Sequence, residues 1–510
     1  MSKRPQSTER PDIQLDPALP EPLYKQLYDR LRAAILAGQV PRGARLPSTR
    51  TLATELGVSR TTTALAYEQL LLEGYLESRV GRGTIVSRQL PVVTTGDLRS
   101  RSEPTSGDLR SRSEPTSGDA QRTPLPRPAA PVAVLDTVPQ LERIEGRGSR
   151  AFISGQPALD LFPYGLWARL LARRARQSLR AHAGYQPPAG YAPLREAIAS
   201  HIGITRGVRC TLEQVIITSG TQGALDLVAR TLLAPGDAAW IEDPGYFGAR
   251  GALLAAEARV VPVPVDGEGL VVAAGRVRAP AARLAFVTPS HQFPTGVTMS
   301  LSRRLALLEW ANEADAWVVE DDYDSEYRYG GRPLEALQGL DRAGRVLYAG
   351  TFSKVLFPAL RLGYLVAPLQ LIPALLQTRR FLDLHPPILE QMALADFLRE
   401  GHYASHLRRT RRQIQCRRDC LHGELQRRLG GILDVSLPEA GLELVGWLPP
   451  GKDDQQAVAL ADAAGITVVA ISRQSLEPTP RGGLLLGFAG IDEDAIRRGV
   501  KTLAEALAPL

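Results

Sequence analysis

A long stretch of chain that cannot build a core divides this sequence into two parts. Residues 89–147 are rich in Pro, Ser, Thr, Gly and Arg, and within them Gly96–Ser106 (GDLRSRSEPTS) recurs as Gly107–Ser117. A segment with so few apolar residues cannot bury enough surface to offset the entropy of folding. We therefore predict a flexible linker, spanning about 45 Å as a random coil, between folded parts at residues 20–88 and 148–510.

Composition narrows the class of protein. A chain of 510 residues with 44% apolar and 23% charged residues is typical of a multidomain globular protein, and its net charge of +7 is compatible with a polyanionic partner. The three cysteines, Cys210, Cys416 and Cys420, are too few for a disulfide framework and indicate a reducing compartment. No signal peptide, membrane span or zinc-type ligand spacing is visible, so we expect a cytoplasmic protein without membrane contact or metal.

Residues 20–88 have the pattern of three helices followed by a β-hairpin. Pro22–Ala37 shows helical spacing of apolar residues, a second helix follows Ser48 as N-cap, and Gly57 makes a tight turn. Ser59 caps a third helix, Arg60–Glu73, for which we predict a buried face. Leu65, Tyr67, Leu70 and Leu71 are predicted to lie on or near that face. Two helices joined by a glycine turn are the helix-turn-helix arrangement.

The second helix of such a unit places its N-terminal residues in the major groove of DNA. Here those residues are Ser59, Arg60, Thr61 and Thr62. Arginine can bind guanine through two hydrogen bonds, and hydroxyls can bind bases or phosphates. The pattern by itself also allows a small helical domain with a hydroxyl-rich cap and no DNA role.

The C-terminal part alternates strand-like and helix-like segments, as α/β domains do. After the strand-like run Val215–Thr218 comes SGTQ and then a predicted helix over 223–233, an arrangement that can bind phosphate at a helix N-terminus. Another run ends at Tyr246, which either stacks on a planar cofactor or packs within a loop. Many α/β proteins have such turns without any ligand.

Two further strand ends carry charge. Glu320, Asp321 and Asp322 stand in a row, which favours either a metal or a positively charged nitrogen nearby. Because no metal-ligand cluster matches them, a protonated pyridine nitrogen is the better candidate. Lys354 ends the run GTFSK and can form a Schiff base, while Arg361 can pair with phosphate. A lone surface lysine is the alternative.

These motifs resemble known families. PLYKQLYDRLRAAILAGQV and RLPSTRTLATELGVSRTTTALAYEQLLLEGYLESRVGRGTIVS resemble the GntR winged-helix regulators across the whole N-terminal module. SGTQ, EDPGY, TPSHQFPTG, EDDYDSEYRY and GTFSKVLFPALRLG resemble fold type I aminotransferases from about residue 150 onward, and HQFPTG and EDDYDSE are similar to the MocR/GabR subfamily. The resemblance implies an α/β fold, namely large and small domains like those of fold type I pyridoxal-phosphate (PLP)-dependent aminotransferases, preceded by a small winged helix-turn-helix domain.

The resemblance also implies a role for each matching residue. DNA would be contacted by Arg50, by Ser59, Arg60, Thr61 and Thr62, and by Gly81 or Arg82 in the wing. Lys354 would form the internal aldimine with PLP, and Asp321 would pair with the pyridinium nitrogen, with Asp322 as a one-residue alternative. Tyr323 would bind the ring 3-oxygen and Tyr246 would stack on the ring. The remaining cofactor residues would be Gly220, Thr221, Thr351, Ser353 and Arg361 at the phosphate, and Tyr185 from the partner subunit.

Two departures from the aminotransferase pattern bear on the substrate. Phe293 stands where aminotransferases carry the asparagine of Asn-Pro-Thr-Gly, so His291 or Gln292 has to take its place. Leu485 stands where many of them carry the arginine that binds a substrate carboxylate, so Arg473 or Arg481 serves instead or the clamp is missing. We accordingly predict His291, Arg473 and Arg481 as effector-binding residues.

The combined prediction is a PLP-dependent transcription regulator. It senses PLP or an amine or amino-acid effector, acts as a head-to-tail homodimer on two DNA half-sites in its own promoter region, and controls a nearby metabolic or transport operon. The alternatives are an active aminotransferase whose N-terminal module only sets location or assembly, and a regulator that has lost its cofactor. PLP itself, GABA, taurine and a D-amino acid remain open as effectors, as do activation and repression.

Overall fold

A computed structural model describes residues 13–79, 83–88, 90, 134–139, 151–330 and 335–510. The chain divides into two compact units, Met1–Arg122 and Thr123–Leu510. In the described ranges, no helix is long and apolar enough to cross a membrane. Gly81 and Arg82, predicted to contact DNA from the wing, lie outside the described residues.

The first unit contains three helices and a hairpin. They are α1 (Leu23–Leu36), α2 (Thr49–Leu56), α3 (Arg60–Leu72), β1 (Leu76–Arg79) and β2 (Gly83–Val86). The two strands pair antiparallel, with Leu76 opposite Val86. Leu27, Leu31 and Leu70 are fully buried at the centre of this unit, which therefore has an apolar core of its own.

Hydroxyl caps fix where α2 and α3 begin, as the sequence predicts. The Ser48 Oγ accepts a hydrogen bond from the Thr51 N–H at 3.1 Å, and the Ser59 Oγ accepts one from the Thr62 N–H at 3.1 Å. Gly57 ends α2 with a φ of +65°, a conformation that favours glycine. The predicted starts of both helices are confirmed.

The buried face of α3 differs from the prediction at Leu65, which is 44% exposed. The inward stripe consists instead of Thr63, Ala66, Tyr67 and Leu70, at the spacing i, i+3, i+4 and i+7 of one helix face. Thr63 can lie inside because its hydroxyl donates to the Thr49 carbonyl at 2.9 Å. The prediction for Leu65 was wrong because a bonded threonine took the buried position.

The second unit is built on an eight-stranded sheet with the order β3-β10-β9-β8-β7-β4-β5-β6. Its strands are β3 (Val215–Thr218), β4 (Ala238–Asp243), β5 (Arg259–Asp266), β6 (Gly269–Leu270), β7 (Leu284–Val287), β8 (Trp317–Asp322), β9 (Val346–Thr351) and β10 (Gly363–Val366). Strands β5, β4, β7, β8 and β9 are parallel to one another, β10 is antiparallel to both β9 and β3, and β6 is antiparallel to β5. Separate apolar clusters cover the two faces of the sheet.

The helices of this unit precede, connect and follow the strands. They are α4 (Tyr164–Gln177), α5 (Ala192–Arg206), α6 (Gly220–Leu232), α7 (Phe247–Ala255), α8 (Val272–Arg278), α9 (Leu301–Glu313), α10 (Leu337–Leu340), α11 (Ile372–Leu382), α12 (Ile388–Arg399), α13 (His402–Leu429), α14 (Asp454–Ala463) and α15 (Glu493–Leu507). Helix α6 begins three residues before its predicted start at 223, since Gly220 enters it with a φ of +80°. The free N–H groups of its first turn therefore belong to the SGTQ motif itself.

A second, smaller sheet lies near the C-terminus. Its strands are antiparallel in the order β11-β12-β14-β13, with bounds Asp434–Val435, Glu443–Trp447, Gly483–Gly487 and Val469–Ala470. Leu444, Leu484 and Leu486 on one face join the main apolar cluster with α13, α14 and α15. The other face packs on Phe293 of the large sheet's loop region.

One edge of the large sheet collects the predicted functional residues. Because β4, β7, β8 and β9 are parallel, their carboxyl ends lie at the same edge. The loops that follow these ends carry Tyr246, His291, Tyr323 and Lys354. The α/β fold thus brings residues more than 100 positions apart in the chain to one place.

A short piece of the predicted linker is described and contacts the second unit. Within residues 134–139, the carbonyl oxygen and the hydroxyl of Thr137 accept hydrogen bonds from Arg250 of α7, at 3.1 and 3.3 Å. The composition of the linker predicts no such contact.

Candidate functional site

Lys354 lies in the loop after β9, and a glycine makes room for its amine. Its Nζ donates to the carbonyl oxygen of Gly155 at 2.8 Å. A Cβ at Gly155, whose φ is +66°, would lie 2.3 Å from that nitrogen. No side chain could stand there without moving the lysine, so Gly155 is part of the site although the sequence did not indicate it.

The three adjacent carboxylates at the end of β8 have different partners because strand side chains alternate between faces. Glu320 accepts hydrogen bonds from the N–H groups that begin α10, at 2.8 and 2.9 Å. Asp322, on the same face, forms a buried ion pair with Arg206 at 2.7 Å and accepts a hydrogen bond from Tyr348 at 2.5 Å. Asp321 points to the opposite face.

Asp321 is buried and incompletely bonded. Its Oδ1 has no hydrogen-bond partner, and the side chain interacts electrostatically with Lys354. Burial raises the pKa of this carboxyl well above its usual range, neighbouring carboxylates including Asp324 raise it further, and Lys354 opposes the shift. Such a carboxyl requires a hydrogen-bonding, preferably cationic, partner, which a protonated pyridine nitrogen provides.

A second group of polar atoms surrounds the start of α6. The guanidinium of Arg361 donates to the Ser219 carbonyl oxygen at 2.8 Å. A Cβ at Gly220 would lie 3.4 Å from that guanidinium, so glycine keeps the space beside Arg361 open. The guanidinium thus lies at the N-terminus of a 13-residue helix, where an anion is stabilised.

Two buried hydroxyls, one in the first turn of α6 and one in the loop after β9, also have no hydrogen-bond partner. They are the Thr221 Oγ1 and the Ser353 Oγ. Thr351 accepts a hydrogen bond from the Ser353 N–H at 3.1 Å and thereby fixes the loop. Unpartnered buried hydroxyls are costly unless a ligand bonds them. Together with Arg361 and Asp321, they fit a molecule that has a phosphate at one end and a ring nitrogen at the other, as PLP has.

Aromatic side chains form one wall of the site. The ring of Tyr246 meets Phe293 edge to face with centroids 5.9 Å apart, and Phe293 meets Tyr323 in the same way at 6.3 Å. Burial and the Asp321 carboxylate raise the pKa of Tyr246 to about 12, so its hydroxyl stays protonated. Tyr246 interacts electrostatically with both Asp321 and Arg361, so its hydroxyl belongs to the same polar neighbourhood.

His291 is held between Tyr323 and Asp324. Its Nδ1 lies 3.0 Å from the Tyr323 hydroxyl and 3.0 Å from the Asp324 Oδ2. Burial lowers the pKa of the imidazole, but the Asp324 carboxylate more than offsets this and the net pKa is raised. His291 therefore connects the Tyr323 hydroxyl to a buried carboxylate.

Gln292 has a different task. Its amide nitrogen donates to the Pro244 carbonyl at 2.9 Å and to the Glu242 carboxylate at 3.2 Å, and its oxygen accepts from the hydroxyl of Thr295 at 2.6 Å. These bonds join the loops after β4 and β7. Of the two residues considered as replacements for the missing asparagine, only His291 bonds to Tyr323 in the structure.

Glu443 of β12 is a second residue that sequence reasoning missed. Its Oε2 accepts hydrogen bonds from the Ser154 hydroxyl at 2.5 Å and the Gly155 N–H at 2.8 Å. Burial raises the pKa of this carboxyl, and Lys354 opposes the shift. The available signal was a single charge within the apolar run GLELVGWL, which a buried strand tolerates only beside a polar partner.

The other candidates differ in position: the short helix that carries Arg473 lies beside the loop after β4, since the Gln474 carbonyl oxygen accepts a hydrogen bond from the Gly245 N–H at 2.9 Å. Arg481 donates to the Leu448 carbonyl and pairs with Asp434, at the end of the small sheet opposite Glu443. Arg473 is exposed in the short helix Ile471–Gln474. Tyr185 is 89% exposed in the single chain, so its side chain is available to another subunit. The position of Arg481 does not favour an effector contact.

The first unit presents its predicted DNA-binding residues together at the start of α3. Ser59, Arg60 and Thr61 are exposed and Thr62 is half-buried, and Arg50 is exposed on α2. The hydroxyls of Ser59 and Thr62 lie 2.8 Å apart, so both take part in the cap. Arg60 and Thr61 are the side chains of α3's first turn that this cap leaves pointing into solvent.

Comparisons with known proteins agree with both halves. The family described as bacterial regulatory proteins, gntR family, matches residues 23–86, and aminotransferase class I and II matches residues 162–503. The probable rhizopine catabolism regulatory protein MocR of Rhizobium meliloti is 41% identical over 96% of this chain and 94% of its own length. The chain belongs to the MocR/GabR type of GntR-family regulators.

Other relatives of this regulator support the same assignment. The transcriptional regulator TauR of Rhodobacter capsulatus is 34% identical over 95% of the chain and 96% of its own length. The α-aminoadipate aminotransferase LysN of Thermus thermophilus, solved with N-(5'-phosphopyridoxyl)-L-leucine, is 31% identical. It covers 75% of this chain and 95% of its own, with a TM-score of 0.66. The predicted fold class is confirmed, and the aminotransferase fold implies a PLP-dependent regulator.

Proposed function

We propose that this regulator holds PLP at Lys354 and changes its affinity for DNA when a small amine, an amino acid or PLP itself occupies the site. In this proposal the chain acts as a head-to-tail homodimer, with two DNA-binding units on two half-sites in its own promoter region. It controls a nearby metabolic or transport operon, and Tyr185 completes the partner's site. Residues 20–88 bind DNA, residues 89–147 link the two folded parts, and residues 148–510 bind PLP and the effector.

The observation that carries the proposal is the set of buried polar atoms without partners around Lys354. The Asp321 Oδ1, Thr221 Oγ1 and Ser353 Oγ are costly in the protein alone and become satisfied by a phosphate and a ring nitrogen. Lys354 interacts electrostatically with Asp321, so we expect both side chains to contact the same ligand. A protein that had abandoned its cofactor would gain stability by filling these positions with apolar groups.

Each residue has a defined task toward the ligand. PLP, when bound, supplies an aldehyde carbon that condenses with amines and a ring that withdraws electrons. Lys354 provides the amine that holds it, and Asp321 keeps a proton on the ring nitrogen. Arg361, the α6 N-terminus and the two hydroxyls bind the phosphate. Tyr323, backed by His291 and Asp324, donates its hydroxyl proton toward the ring oxygen, and Tyr246 stacks on the ring.

Chemical trapping tests the cofactor assignment. Borohydride reduction of the purified full-length protein should fix a phosphopyridoxyl group on the peptide that contains Lys354, as read by mass spectrometry. Lys354→Ala should lose the group, whereas Lys501→Ala, at an exposed lysine of α15, should keep it. Label on another peptide, or none after incubation with PLP, would reject Lys354 as the attachment site.

Substitution in α3 tests the DNA assignment. Arg60→Ala should weaken binding to the intergenic DNA upstream of its own gene by about 10- to 100-fold, since one lost base contact costs about 1–3 kcal/mol. Trapping of PLP at Lys354 should be unchanged, because Arg60 lies in the other unit. Arg30→Ala, on an exposed position of α1, is the matched control in a gel-shift titration. Equal affinities of wild type and Arg60→Ala would contradict the assignment.

A further inference from the structure

Glu443 places a carboxylate in the wall of the site beside Lys354. The side chain is 5% exposed and interacts electrostatically with Lys354, His291 and Asp324. The segment that carries Gly155 crosses β14 at Gly487, where a Cβ would lie 2.0 Å from the Ile153 carbonyl oxygen. This close crossing, opposite Glu443 in the β12–β14 register, fixes the carboxylate against the loop that receives the lysine amine.

In the part of the chain that the structure describes, hydrogen bonds reach one of the two oxygens of Glu443. The Oε2 accepts both hydrogen bonds, from the Ser154 hydroxyl and the Gly155 N–H. Among the described residues, no group donates a hydrogen bond to the Oε1. A carboxylate oxygen in this position is an acceptor for an N–H or O–H group of a ligand.

The strand face around Glu443 is otherwise apolar. Side chains at Glu443, Val445 and Leu485 share the face of the small sheet that packs, with Ile471, on Phe293. Leu485, 1% exposed, occupies the position from which an arginine clamps the substrate carboxylate in many aminotransferases. The described part of this face therefore offers a ligand one anionic acceptor and a hydrocarbon surface.

Carboxyl groups also dominate the surroundings. Asp321 interacts with Asp324, Glu242 and Lys354, while Glu443 interacts with Asp324, Lys354 and His291. Among the guanidinium groups nearby, Arg361 is at the phosphate end, and Arg328, which pairs with the exposed Glu439, interacts electrostatically with His291. A ligand carboxylate placed near Glu443 would add an anion to a buried, already anionic region, and burying unpaired like charges is strongly unfavourable. A hydroxyl or ammonium group at that place would instead find an acceptor.

We propose that the effector of this site is a polar primary amine without a carboxylate, and that Glu443 selects it by accepting a hydrogen bond from its distal hydroxyl or ammonium group. This inference rests on the proposed function, because it concerns the ligand of the same site. It excludes ordinary α-amino acids and ω-amino acids as the preferred ligands. Glu443 thus determines specificity, while Lys354 and Asp321 serve the cofactor.

Three ligands of equal chain length test the proposal. 1,4-Diaminobutane, 4-amino-1-butanol and 4-aminobutanoate differ only in carrying a cationic, neutral or anionic distal group. Titration calorimetry on the full-length PLP-loaded protein should show that the first two bind at least about tenfold more tightly than 4-aminobutanoate. Tighter binding of 4-aminobutanoate, equal binding of all three, or no binding of the first two at millimolar concentration would overturn the proposal.

Variants assign the preference to its residue, compared at equal PLP occupancy. Glu443→Gln should weaken the binding of 1,4-diaminobutane by about tenfold or more and reduce the difference between its affinity and that of 4-aminobutanoate. Leu485→Arg should strengthen the binding of 4-aminobutanoate. Glu505→Gln removes the same charge from an exposed residue of α15 and should leave the affinity for all three ligands unchanged. If Arg473→Ala abolished tight 4-aminobutanoate binding, Arg473 would be a carboxylate clamp and the proposal would be wrong.

The same samples separate this inference from the proposed function. Borohydride trapping reports whether PLP is at Lys354, and gel shifts with and without each amine report coupling to DNA. Absence of the trapped group means that the cofactor assignment itself has failed. A trapped group together with a preference for 4-aminobutanoate means that the regulator functions as proposed and that only the assigned ligand class is incorrect.

Discussion

At the scale of single residues, the neighbouring carboxylates Asp321 and Asp322 should respond oppositely to the same substitution. Asp321→Asn should reduce PLP affinity by at least about tenfold without lowering the stability of the cofactor-free protein, because its Oδ1 has no partner there. Asp322→Asn removes the charge that pairs with buried Arg206 and should cost about 3–5 kcal/mol of unfolding free energy. PLP titrations and thermal melts of both variants provide each other's control. If Asp321→Asn lost stability but bound PLP normally, Asp321 would be the structural residue and the assignment of the cofactor contact to it would be wrong.

The buried carboxyl of Glu242 makes stability depend on pH. Burial raises its pKa from 4.5 to about 7, although hydrogen bonds from Thr288 and Gln292 oppose the shift. The folded protein therefore holds a proton that the unfolded chain releases between these values, so the stabilisation is present at low pH and is lost as pH rises towards 7. Glu242→Gln should flatten the decline of unfolding free energy across this window by up to about 1.4 kcal/mol per pH unit. Urea titrations measure this, with exposed Glu268→Gln as control; an unchanged slope in Glu242→Gln would contradict the shift.

The sequence could predict a site residue when that residue belongs to a recognisable motif. It could not predict a residue that reaches the site only through the way the chain folds. Lys354, Tyr323 and Arg361 belong to recognisable sequence motifs that follow predicted strands. The sequence alone could therefore assign them to one edge of a sheet. Asp321 and Asp322 could not be separated by spacing, although the alternation of side chains along β8 puts only one of them on the side of Lys354. Glu443 comes from the small sheet, and its neighbourhood depends on how that sheet packs on the large one.

At the scale of elements, the sequence predicted where helices begin more accurately than which helix faces are buried. Hydroxyl caps at Ser48 and Ser59 and the glycine at Gly57 set the helix-turn-helix boundaries within a residue. The start of α6 was missed because Gly220 enters the helix with a positive φ, which sequence does not reveal. Leu65 was misplaced for another reason: periodicity treats a threonine as polar, whereas Thr63 is buried through its bond to Thr49. Tertiary hydrogen bonds decide such cases, and they are absent from any local pattern.

The described piece of the linker shows the same limit. Composition predicts that residues 89–147 bury nothing, yet Thr137 bonds to Arg250 on α7. Both hydrogen bonds are exposed to solvent, and each contributes little to the free energy of folding. They nevertheless position the chain beside the helix that begins directly after Tyr246, so a change at the aromatic wall is only one helix away from the C-terminal end of the linker. Composition describes the average behaviour of such a segment but not a single contact of this kind.

At the scale of the whole molecule, each of the two units has an apolar core of its own, so neither core needs the segment between them. The first unit buries its own apolar cluster, and the second buries several. If residues 89–147 are the predicted flexible linker, the proposed coupling between DNA and ligand depends on the effective concentration that this linker imposes on the DNA-binding unit. For a flexible tether this concentration changes only as about the −3/2 power of length. A repeated 11-residue segment is compatible with this, since a duplication of such a tether alters the reach only slightly.

Deleting one copy of the repeat, Gly107–Ser117, tests this view directly. If residues 89–147 are a flexible tether, affinity for DNA carrying both half-sites should change by less than about twofold. Trapping of PLP at Lys354 and the effect of an amine on DNA binding should remain. Replacing the same 11 residues with an equal length of Gly-Ser sequence controls for composition. A fall of more than about tenfold in the deletion, reversed by the Gly-Ser replacement, would show that length is tuned. A fall in both variants would show that the repeat makes specific contacts, so that the regulator transmits its signal through the linker's own residues.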